Sequence, residues 1–256
     1  MSMPETPMNA SPSAARAAVL DIRGVVAGYG DTVILRGLDL AIQAGEIHAL
    51  LGANGAGKTT TLNLLLGFVQ PRSGEVRVHG VDPATQPVAA RRQLAYIPEN
   101  VALYEHLSAA ENVAYLLHLA EQPADALAIG AALCAAGLDR AAHGRRVSGF
   151  SKGMRQKVSI ALALARKVPA LLLDEPTSGL DPQAATEFNH LLAALRSQGV
   201  AILMVTHDLL GAADIVDRIS FLRDGRLALQ VAAGAGPERF DVPALHRYYA
   251  GAEALR

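Results

Sequence analysis

The chain has 256 residues, of which 51% are hydrophobic, and this is enough to bury the core of one α/β unit with an inserted lobe. The 23 Lys and Arg residues nearly balance the 24 Asp and Glu residues, so the charge gives no support for a nucleic-acid-binding surface. A single cysteine, Cys134, excludes an intramolecular disulfide and argues against a zinc site. No run of apolar residues approaches the roughly 18 needed to span a bilayer.

The two ends of the chain differ in composition from the rest. Residues 1–18 are rich in Ser, Pro, Met and Ala and lack the basic and apolar regions of a secretory signal, so we predict a disordered tail. The main domain is predicted over 19–230, and 231–256 is predicted to be a short C-terminal extension. Any membrane role of this chain is then expected to come through a partner.

Short apolar runs predict β-strands, and helical patterns lie between them, which indicates an α/β fold with a mixed sheet. The strand-like runs are Leu20–Val26, Leu38–Ile42, Ile47–Leu51, Glu75–Val78, Leu94–Ile97, Leu171–Leu173, Val200–Val205 and Ile219–Leu222. Between Ile97 and Leu171 the strand pattern is replaced by an alanine- and leucine-rich stretch. We therefore expect a helical subdomain of about 99–168 inserted in the α/β core.

Several helix ends and one turn carry local signals. Ser108 and Glu111 have the Ser-x-x-Glu spacing of a capping box, and a second helix is predicted to start near Ser151. The pair Asp224–Gly225 between apolar runs predicts a hairpin turn. A short helix over Val242–Leu255 is expected to close the chain.

A phosphate-binding loop is predicted between the strand Ile47–Leu51 and the helical run Thr59–Leu66. The segment fits the pattern G-x-x-x-x-G-K-[ST], in which backbone N–H groups and a helix N-terminus surround a phosphate. We expect Lys58 to neutralise the β- and γ-phosphates and the Thr59 hydroxyl to bind Mg²⁺. The alternative is a glycine-rich turn with a solvated lysine. The predicted nucleotide-binding residues are Gly52, Ala53, Asn54, Gly55, Ala56, Gly57, Lys58, Thr59 and Thr60.

Two acidic residues follow the aliphatic run Ala170–Leu173. Such a run is typical of a strand buried on both faces of a parallel sheet, and ligands bind at the carboxyl ends of such strands. We expect Asp174 to bind Mg²⁺ and Glu175 to act as the general base for an attacking water. An acidic turn or helix cap is the alternative for an isolated pair of this kind.

His207 follows the predicted strand Val200–Val205. A lone histidine at a strand end is usually structural, with its ring bonded to a nearby carbonyl. Its position in a sheet that carries a phosphate loop favours a γ-phosphate sensor.

The segment Phe150-Ser151-Lys152-Gly153-Met154-Arg155-Gln156 resembles the signature of ATP-binding cassette (ABC) ATPases, whose usual form is LSGGQ. Ser178-Gly179-Leu180-Asp181 resembles the D-loop of the same family, and His207 resembles its switch histidine. With the phosphate loop and the acidic pair, the resemblance runs from about Leu20 to Gln230. It implies an ABC nucleotide-binding domain, in which a helical subdomain is inserted in a RecA-like P-loop ATPase core.

The resemblance also implies cofactors and partners. ATP and Mg²⁺ are the expected cofactors, and two subunits are expected to dimerise head to tail. The second ATPase subunit then places its signature on the γ-phosphate bound by the first, through Ser151, Lys152, Gly153, Met154 and Asp181. Ser151 is equally expected to be a helix N-cap. Separately encoded permease subunits would place the protein peripherally at the cytoplasmic face of the cell membrane, with no role for nucleic acid.

Tyr29 resembles the family's aromatic residue that stacks on adenine. From the residues alone, an aromatic in Gly28-Tyr29-Gly30 is rather expected to sit in a turn and pack on the core.

Two residues depart from the family pattern. Glu99, in Tyr96-Ile97-Pro98-Glu99-Asn100-Val101, stands where the family usually has a glutamine, and we expect it to serve the Mg²⁺ shell or the coupling to the permease near Asn100 and Tyr104. Lys152 replaces the first glycine of the signature. The segments Ser-Lys-Gly-Met and Pro-Glu-Asn-Val are similar to ABC-2 type ATPases, especially the subunit serving copper-site maturation of nitrous oxide reductase.

Two other classes of function compete with a transporter ATPase. An ABC-type ATPase of translation or DNA repair would have no membrane partner, but such proteins carry two cassettes or a long coiled coil, and this chain has neither. A P-loop kinase or GTPase leaves the segments 151–154 and 178–181 unexplained.

Overall fold

The computed structural model describes residues 18–236 and 239–253. Apart from Ala18, the predicted disordered tail lies outside the described residues, as do the last three residues of the chain. The strands are β1 (Leu20–Tyr29), β2 (Thr32–Ile42), β3 (Ile47–Leu51), β4 (Ser73–Val78), β5 (Leu94–Ile97), β6 (Ala170–Asp174), β7 (Ala201–Thr206), β8 (Arg218–Arg223) and β9 (Arg226–Ala232). The α-helices are α1 (Lys58–Leu65), α2 (Pro87–Arg92), α3 (Ala109–Leu119), α4 (Ala126–Ala135), α5 (Lys152–Arg166), α6 (Pro182–Ser197), α7 (Leu209–Ala213) and α8 (Val242–Glu253).

Two sheets make up the β-structure. The larger has the strand order β5-β6-β7-β3-β8-β9, with all neighbours parallel except the antiparallel hairpin β8–β9. Asp224 (φ 49°) and Gly225 (φ 76°) form the turn of that hairpin, as the sequence predicts. The smaller sheet, β2-β1-β4, is antiparallel. The expectation of an α/β fold with mixed strand directions is confirmed.

The β1–β2 hairpin is longer than its apolar pattern predicts. β1 continues to Tyr29, and β2 begins at Thr32 rather than Leu38, with Tyr29 and Thr32 paired across the turn. Register shifts interrupt this pairing, so inward-facing positions do not alternate strictly and the apolar period is weakened. Tyr29 therefore ends a strand instead of lying in a loop.

The core lies on both faces of the larger sheet. Leu171 and Leu173 of β6 pack into a cluster with α3–α6, whereas Leu172 packs on the opposite side with α1 and the smaller sheet. All three leucines are fully buried. This arrangement confirms the predicted strand that is buried on both faces.

The segment between β5 and β6 is helical, with α3, α4 and α5 packed on one another. The predicted capping box is present, since Glu111 N donates to Ser108 Oγ (3.2 Å) and Ser108 N donates to Glu111 Oε2 (2.7 Å). Ser151 caps α5 by accepting a hydrogen bond from Met154 N (3.3 Å). The short helix α2 lies where the sequence pattern gave no signal, because two turns are too short to show a period. The domain boundaries at 19–230 and 99–168 stay predictions.

The closing helix α8 packs on β8 through an edge contact of the Phe221 and Tyr248 rings, whose centroids are 5.3 Å apart. Within the described ranges, the chain contains no helix with both the length and the apolar character needed to cross a bilayer.

A buried polar cluster lies within the larger sheet, between the neighbouring strands β3 and β8. His48 of β3 is fully buried, and its Nε2 is 2.8 Å from Ser220 Oγ. Glu46 Oε1 lies 3.5 Å from His48 Nδ1 and 3.2 Å from Arg218 Nε. Burial lowers the pKa of His48, because the imidazolium would lose its hydration. The folded protein therefore favours the neutral ring.

We expect the folded protein to lose stability as the pH falls below about 6.5, the ordinary pKa of histidine, because the unfolded chain then binds a proton that folded His48 does not. The slope from this residue reaches about 1.4 kcal/mol per pH unit. Urea unfolding between pH 7.5 and 5 measures how the free energy of unfolding depends on pH, and His48→Gln is the comparison. Equal pH slopes for the two proteins would contradict the conclusion that folded His48 stays neutral. The Glu46 pKa is lowered, so this carboxylate stays charged across that range.

Candidate functional site

The phosphate loop predicted from the sequence connects β3 to α1 at the carboxyl edge of the larger sheet. Lys58 Nζ donates to Gly52 O (2.6 Å) and Ala53 O (3.3 Å), so its ammonium lies inside the loop. Burial lowers the pKa of Lys58, and the charges of Asp174 and Glu175 oppose that shift. The loop therefore holds a cation close to two carboxylates.

At two positions of this loop the structure requires glycine, one because of its backbone conformation and one because of close packing. Gly57 has φ 113° directly before α1, a region that disfavours any side chain. A Cβ at Gly52 would lie 2.6 Å from Leu222 O, so β8 approaches the loop too closely for alanine. In the helix that follows, Thr59 is exposed and Thr60 is buried.

Asp174 ends β6 and has a partner that the sequence analysis missed. The Tyr96 hydroxyl donates to Asp174 Oδ2 at 3.2 Å. Burial raises the pKa of Asp174, and the nearby Glu175 and Glu99 charges add to the rise while Tyr96 and Lys58 oppose it. Burial and the same carboxylate raise the pKa of Tyr96 to about 12, so Tyr96 keeps its proton as a donor. The sequence could have indicated this contact, because Tyr96 lies in a predicted strand, β5, that pairs with β6 in the sheet.

Glu175 and His207 are brought together by β6 and β7. Glu175 Oε1 lies 2.9 Å from His207 Nδ1, while Oε2 accepts from Thr206 Oγ1 (3.0 Å) and His207 N (3.3 Å). Because an ionised carboxylate only accepts hydrogen bonds, Nδ1 carries the hydrogen of this contact. Glu175 has φ 46°, a left-handed conformation that is costly for a non-glycine residue. The loop after β6 thus turns sharply to direct this carboxylate at His207.

Tyr29 lies beside the helix that follows the phosphate loop. Its hydroxyl accepts a hydrogen bond from Asn63 Nδ2 of α1 (2.9 Å), and half of the residue (50%) is exposed. The expectation that this ring packs on the core is wrong, because the β1 strand ends here and directs the ring outward. The exposed part of Tyr29 lies next to α1, at the edge of the site.

The start of α5, with the signature residues, lies beside α6 of its own chain. Ser151 caps α5, and a Cβ at Gly153 would lie 3.6 Å from both Leu180 and Ala184. Asp181 Oδ1 accepts from Ala184 N (2.8 Å) and caps α6. Ser151, Gly153, Met154 and Asp181 line one cavity together, separate from the contacts that hold Lys58.

Glu99 lies two residues after β5 and contacts the segment after β6. Its Oε1 accepts from Ser178 Oγ (3.1 Å) and lies 3.9 Å from Lys152 Nζ. Glu99 and Lys152, the two residues that depart from the family pattern, therefore face each other in one subunit.

The donors expected for Mg²⁺ are oxygens, from the Thr59 hydroxyl and the carboxylates of Asp174 and Glu99. Within residues 18–236 and 239–253 no three His, Cys, Asp or Glu side chains cluster as a metal cage. Mg²⁺ at nucleotide sites typically takes one or two carboxylates and completes its shell with phosphate and water. The half-buried Asp174, with oxygen donors only, fits that ion.

Comparison with known proteins gives the family. Residues 35–178, more than half of the chain, match the ABC transporter family model. The chain therefore belongs to the ABC transporter family.

Named relatives agree with this assignment. The spermidine/putrescine import ATP-binding protein PotA of Spiroplasma citri is 36% identical over 212 residues, covering 82% of this chain and 60% of PotA. The lipopolysaccharide export system ATP-binding protein LptB of Acidithiobacillus ferridurans is 31% identical over 236 residues, covering 91% of this chain and 97% of LptB. The chain thus spans about 60% of the PotA relative and nearly all of LptB.

A solved structure agrees with the fold. The dimeric structure of a post-hydrolysis ATP-binding cassette bound to ADP and Pi is 27% identical, with a TM-score of 0.72, and covers 83% of this chain and 98% of that chain. The expected fold class, an ABC nucleotide-binding domain, is confirmed.

Tyr96→Phe should destabilise the folded protein by about 1 kcal/mol at pH 7.5, because the ionised Asp174 loses a charge-assisted hydrogen bond. The loss raises the pKa of Asp174 further, so the difference from wild type should narrow as the pH falls and Asp174 takes up a proton. Urea unfolding at pH 7.5 and 4.5 measures both effects. Tyr248→Phe, at an exposed ring packed edge-on against Phe221, is the control. If the difference in the free energy of unfolding between Tyr96→Phe and wild type were the same at both pH values, the hydrogen bond from Tyr96 to Asp174 would be contradicted.

Proposed function

We propose that this chain is the ATP-binding and ATP-hydrolysing subunit of an ABC transporter, in which two copies close over ATP and drive a separate membrane permease. The observation that carries the proposal is the convergence of Lys58, Asp174 and the Glu175–His207 pair at one edge of a parallel sheet. Such an edge is where nucleotides bind in α/β proteins.

The nucleotide would occupy the loop of Gly52 to Lys58. Lys58, released from its bonds to Gly52 O and Ala53 O, would meet the β- and γ-phosphates, since a phosphate offers stronger acceptors than a carbonyl. Thr60 and the N-terminus of α1 complete the cradle. Tyr29 would stack its exposed face on adenine.

Mg²⁺ would be held by Thr59 and Asp174, with Glu99 in its shell, and would neutralise charge on the phosphates. Tyr96 positions the Asp174 carboxylate for that role through its hydrogen bond. Because Tyr96 remains protonated, the orientation of Asp174 does not change across neutral pH.

Glu175 is the proposed general base, and His207 positions it. The hydrogen bond from His207 Nδ1 fixes one carboxylate oxygen, and Thr206 fixes the other. Proton transfer to a positioned base of this kind contributes roughly 10²–10⁴-fold to the rate. His207, beside Glu175, would also sense the γ-phosphate.

The signature would act on the nucleotide of the partner subunit. Ser151, Lys152, Gly153 and Met154 begin α5, whose N-terminal N–H groups and helix dipole favour an anion. Asp181, at the start of α6, would lie at the same subunit boundary. In the structure Gly153 lies beside Ala184 of its own α6 and Asp181 caps that helix, and the dimeric arrangement of a related cassette supports the pairing of two subunits.

The permease would be a separate chain, which would place this subunit at the cytoplasmic face of the cell membrane. We propose that it belongs to the ABC-2 type, which favours export, and is similar to the subunit for copper-site maturation of nitrous oxide reductase. The segments Ser-Lys-Gly-Met and Pro-Glu-Asn-Val support this grouping.

Glu175→Gln should bind ATP but hydrolyse it at least about 100-fold more slowly, because the amide cannot accept the proton of water. The trapped ATP should hold two subunits together, so size-exclusion chromatography with light scattering should show a dimer only with ATP. Lys58→Ala is the matched control and should stay monomeric at the same ATP concentration. A Glu175→Gln protein that remains monomeric with bound ATP would contradict the two-subunit mechanism.

The tagged chain, expressed with its neighbouring reading frames, should retain a polytopic membrane protein through purification in detergent. We expect the retained protein to be lost when exposed Tyr104, beside the Glu99–Asn100 junction, is changed to Glu. Mass spectrometry of the eluted complex measures both results. Purification without any membrane protein would contradict the transporter assignment.

A further inference from the structure

The inference concerns a contact between the two residues that depart from the family pattern. Glu99 lies in the loop after β5, and Lys152 is the first residue of α5. Lys152 Nζ is 3.9 Å from Glu99 Oε1, and the same oxygen accepts a hydrogen bond from Ser178 Oγ. One carboxylate oxygen therefore joins three segments that are far apart in the sequence.

Each charge of this pair lies where its surroundings disfavour it. Lys152 is a cation at the N-terminus of α5, where the helix dipole is also positive. Glu99 lies near Asp174, and its negative charge acts to raise the pKa of that carboxyl. Each residue relieves the electrostatic strain of the other, which gives the pairing a physical reason beyond proximity.

The lysine side chain also crosses the turn after β6. Its Cδ and Nζ lie 4.0 and 3.9 Å from the position of a Cβ at Gly179, which has φ 68°. One turn further along α5, the fully buried Gln156 donates through Nε2 to Pro176 O. The start of α5 is thus hydrogen-bonded to the segment after β6 through Gln156, the Lys152 side chain lies over Gly179, and Lys152 adds the loop after β5 to this connection.

We propose that Glu99 and Lys152 are positioning residues that form an intrasubunit ion pair, which makes the loop after β5, the turn after Glu175 and the start of α5 move as one unit. The pair uses Oε1 of Glu99, so the proposed Mg²⁺ shell role falls to Oε2. The two sequence departures are then one compensated change. This inference rests on the proposed function only where catalysis is the readout.

A partly exposed pair at this distance adds little to global stability, so its effect should appear in catalysis rather than in folding. Either single change leaves one charge without its partner. Glu99→Gln leaves the Lys152 ammonium unpaired, and Lys152→Gly leaves the Glu99 carboxylate without its cation. The double variant restores the glutamine and glycine that are usual in the family. We expect each single variant to lower kcat about three- to tenfold, with the KM for ATP changed less than about twofold, and the double variant to lose no more kcat than either single variant.

Losses that multiply in the double variant would overturn the proposal, as would single variants with unchanged kcat. The control is Lys157→Gln with Glu187→Gln, an ion pair of 2.7 Å between α5 and α6. The two single variants and the double variant of this control pair should leave kcat unchanged, because the pair joins two helices and does not contact the loop after β5.

The contact itself is tested without ATP hydrolysis. A carbodiimide joins a carboxylate and an amine in contact through an amide bond, so treatment of dilute, nucleotide-free protein should give a cross-linked peptide pair containing Glu99 and Lys152. Mass spectrometry should find it in wild type and not in Glu99→Gln. Failure to form it in wild type overturns the pair, whereas a wild-type protein that cross-links but does not hydrolyse ATP overturns only the proposed function.

Discussion

Burial of the aliphatic strands β3, β6 and β7 is the constraint on which the site depends. Their central residues are fully buried, and each buried leucine contributes about 1.5–3 kcal/mol. A slip of one residue would move each side chain to the opposite face, so the register is fixed. In that register Leu51 pairs with Thr206 and Asp174 pairs with Val205, which places the polar residues that follow each strand at one level. The apolar core thereby positions the charged residues that follow these strands.

The charges at this edge are balanced through their neighbours. Lys58 lies near Asp174 and Glu175, Tyr96 donates to Asp174, and His207 donates to Glu175. Like charges so close together would repel strongly if they were left unpaired in a partly buried site. The hydrogen bonds keep both carboxylates oriented at this edge of the sheet.

Much of the local structure follows from short-range rules. The phosphate loop, the capping box at Ser108 and the hairpin at Asp224 each depend on residues within a few positions, so spacing alone predicts them. The start of β2 and the helix α2 were missed because register shifts and short length remove their periodicity. Tyr96 was missed because its partner, Asp174, lies 78 positions away.

The sequence by itself determined the fold class, the phosphate loop and which residue types stand at the strand ends, because hydrophobic periodicity and glycine patterns act locally. Only the tertiary structure decided which side chains meet: Tyr96 with Asp174, His207 with Glu175, and Lys152 with Glu99. The first two pairs join strands or strand ends that the sheet order β5-β6-β7 brings side by side, and the third joins the loop after β5 to the start of α5. The physical reason is that strand order and helix packing are set by burial of the whole core, which no local pattern of residues records.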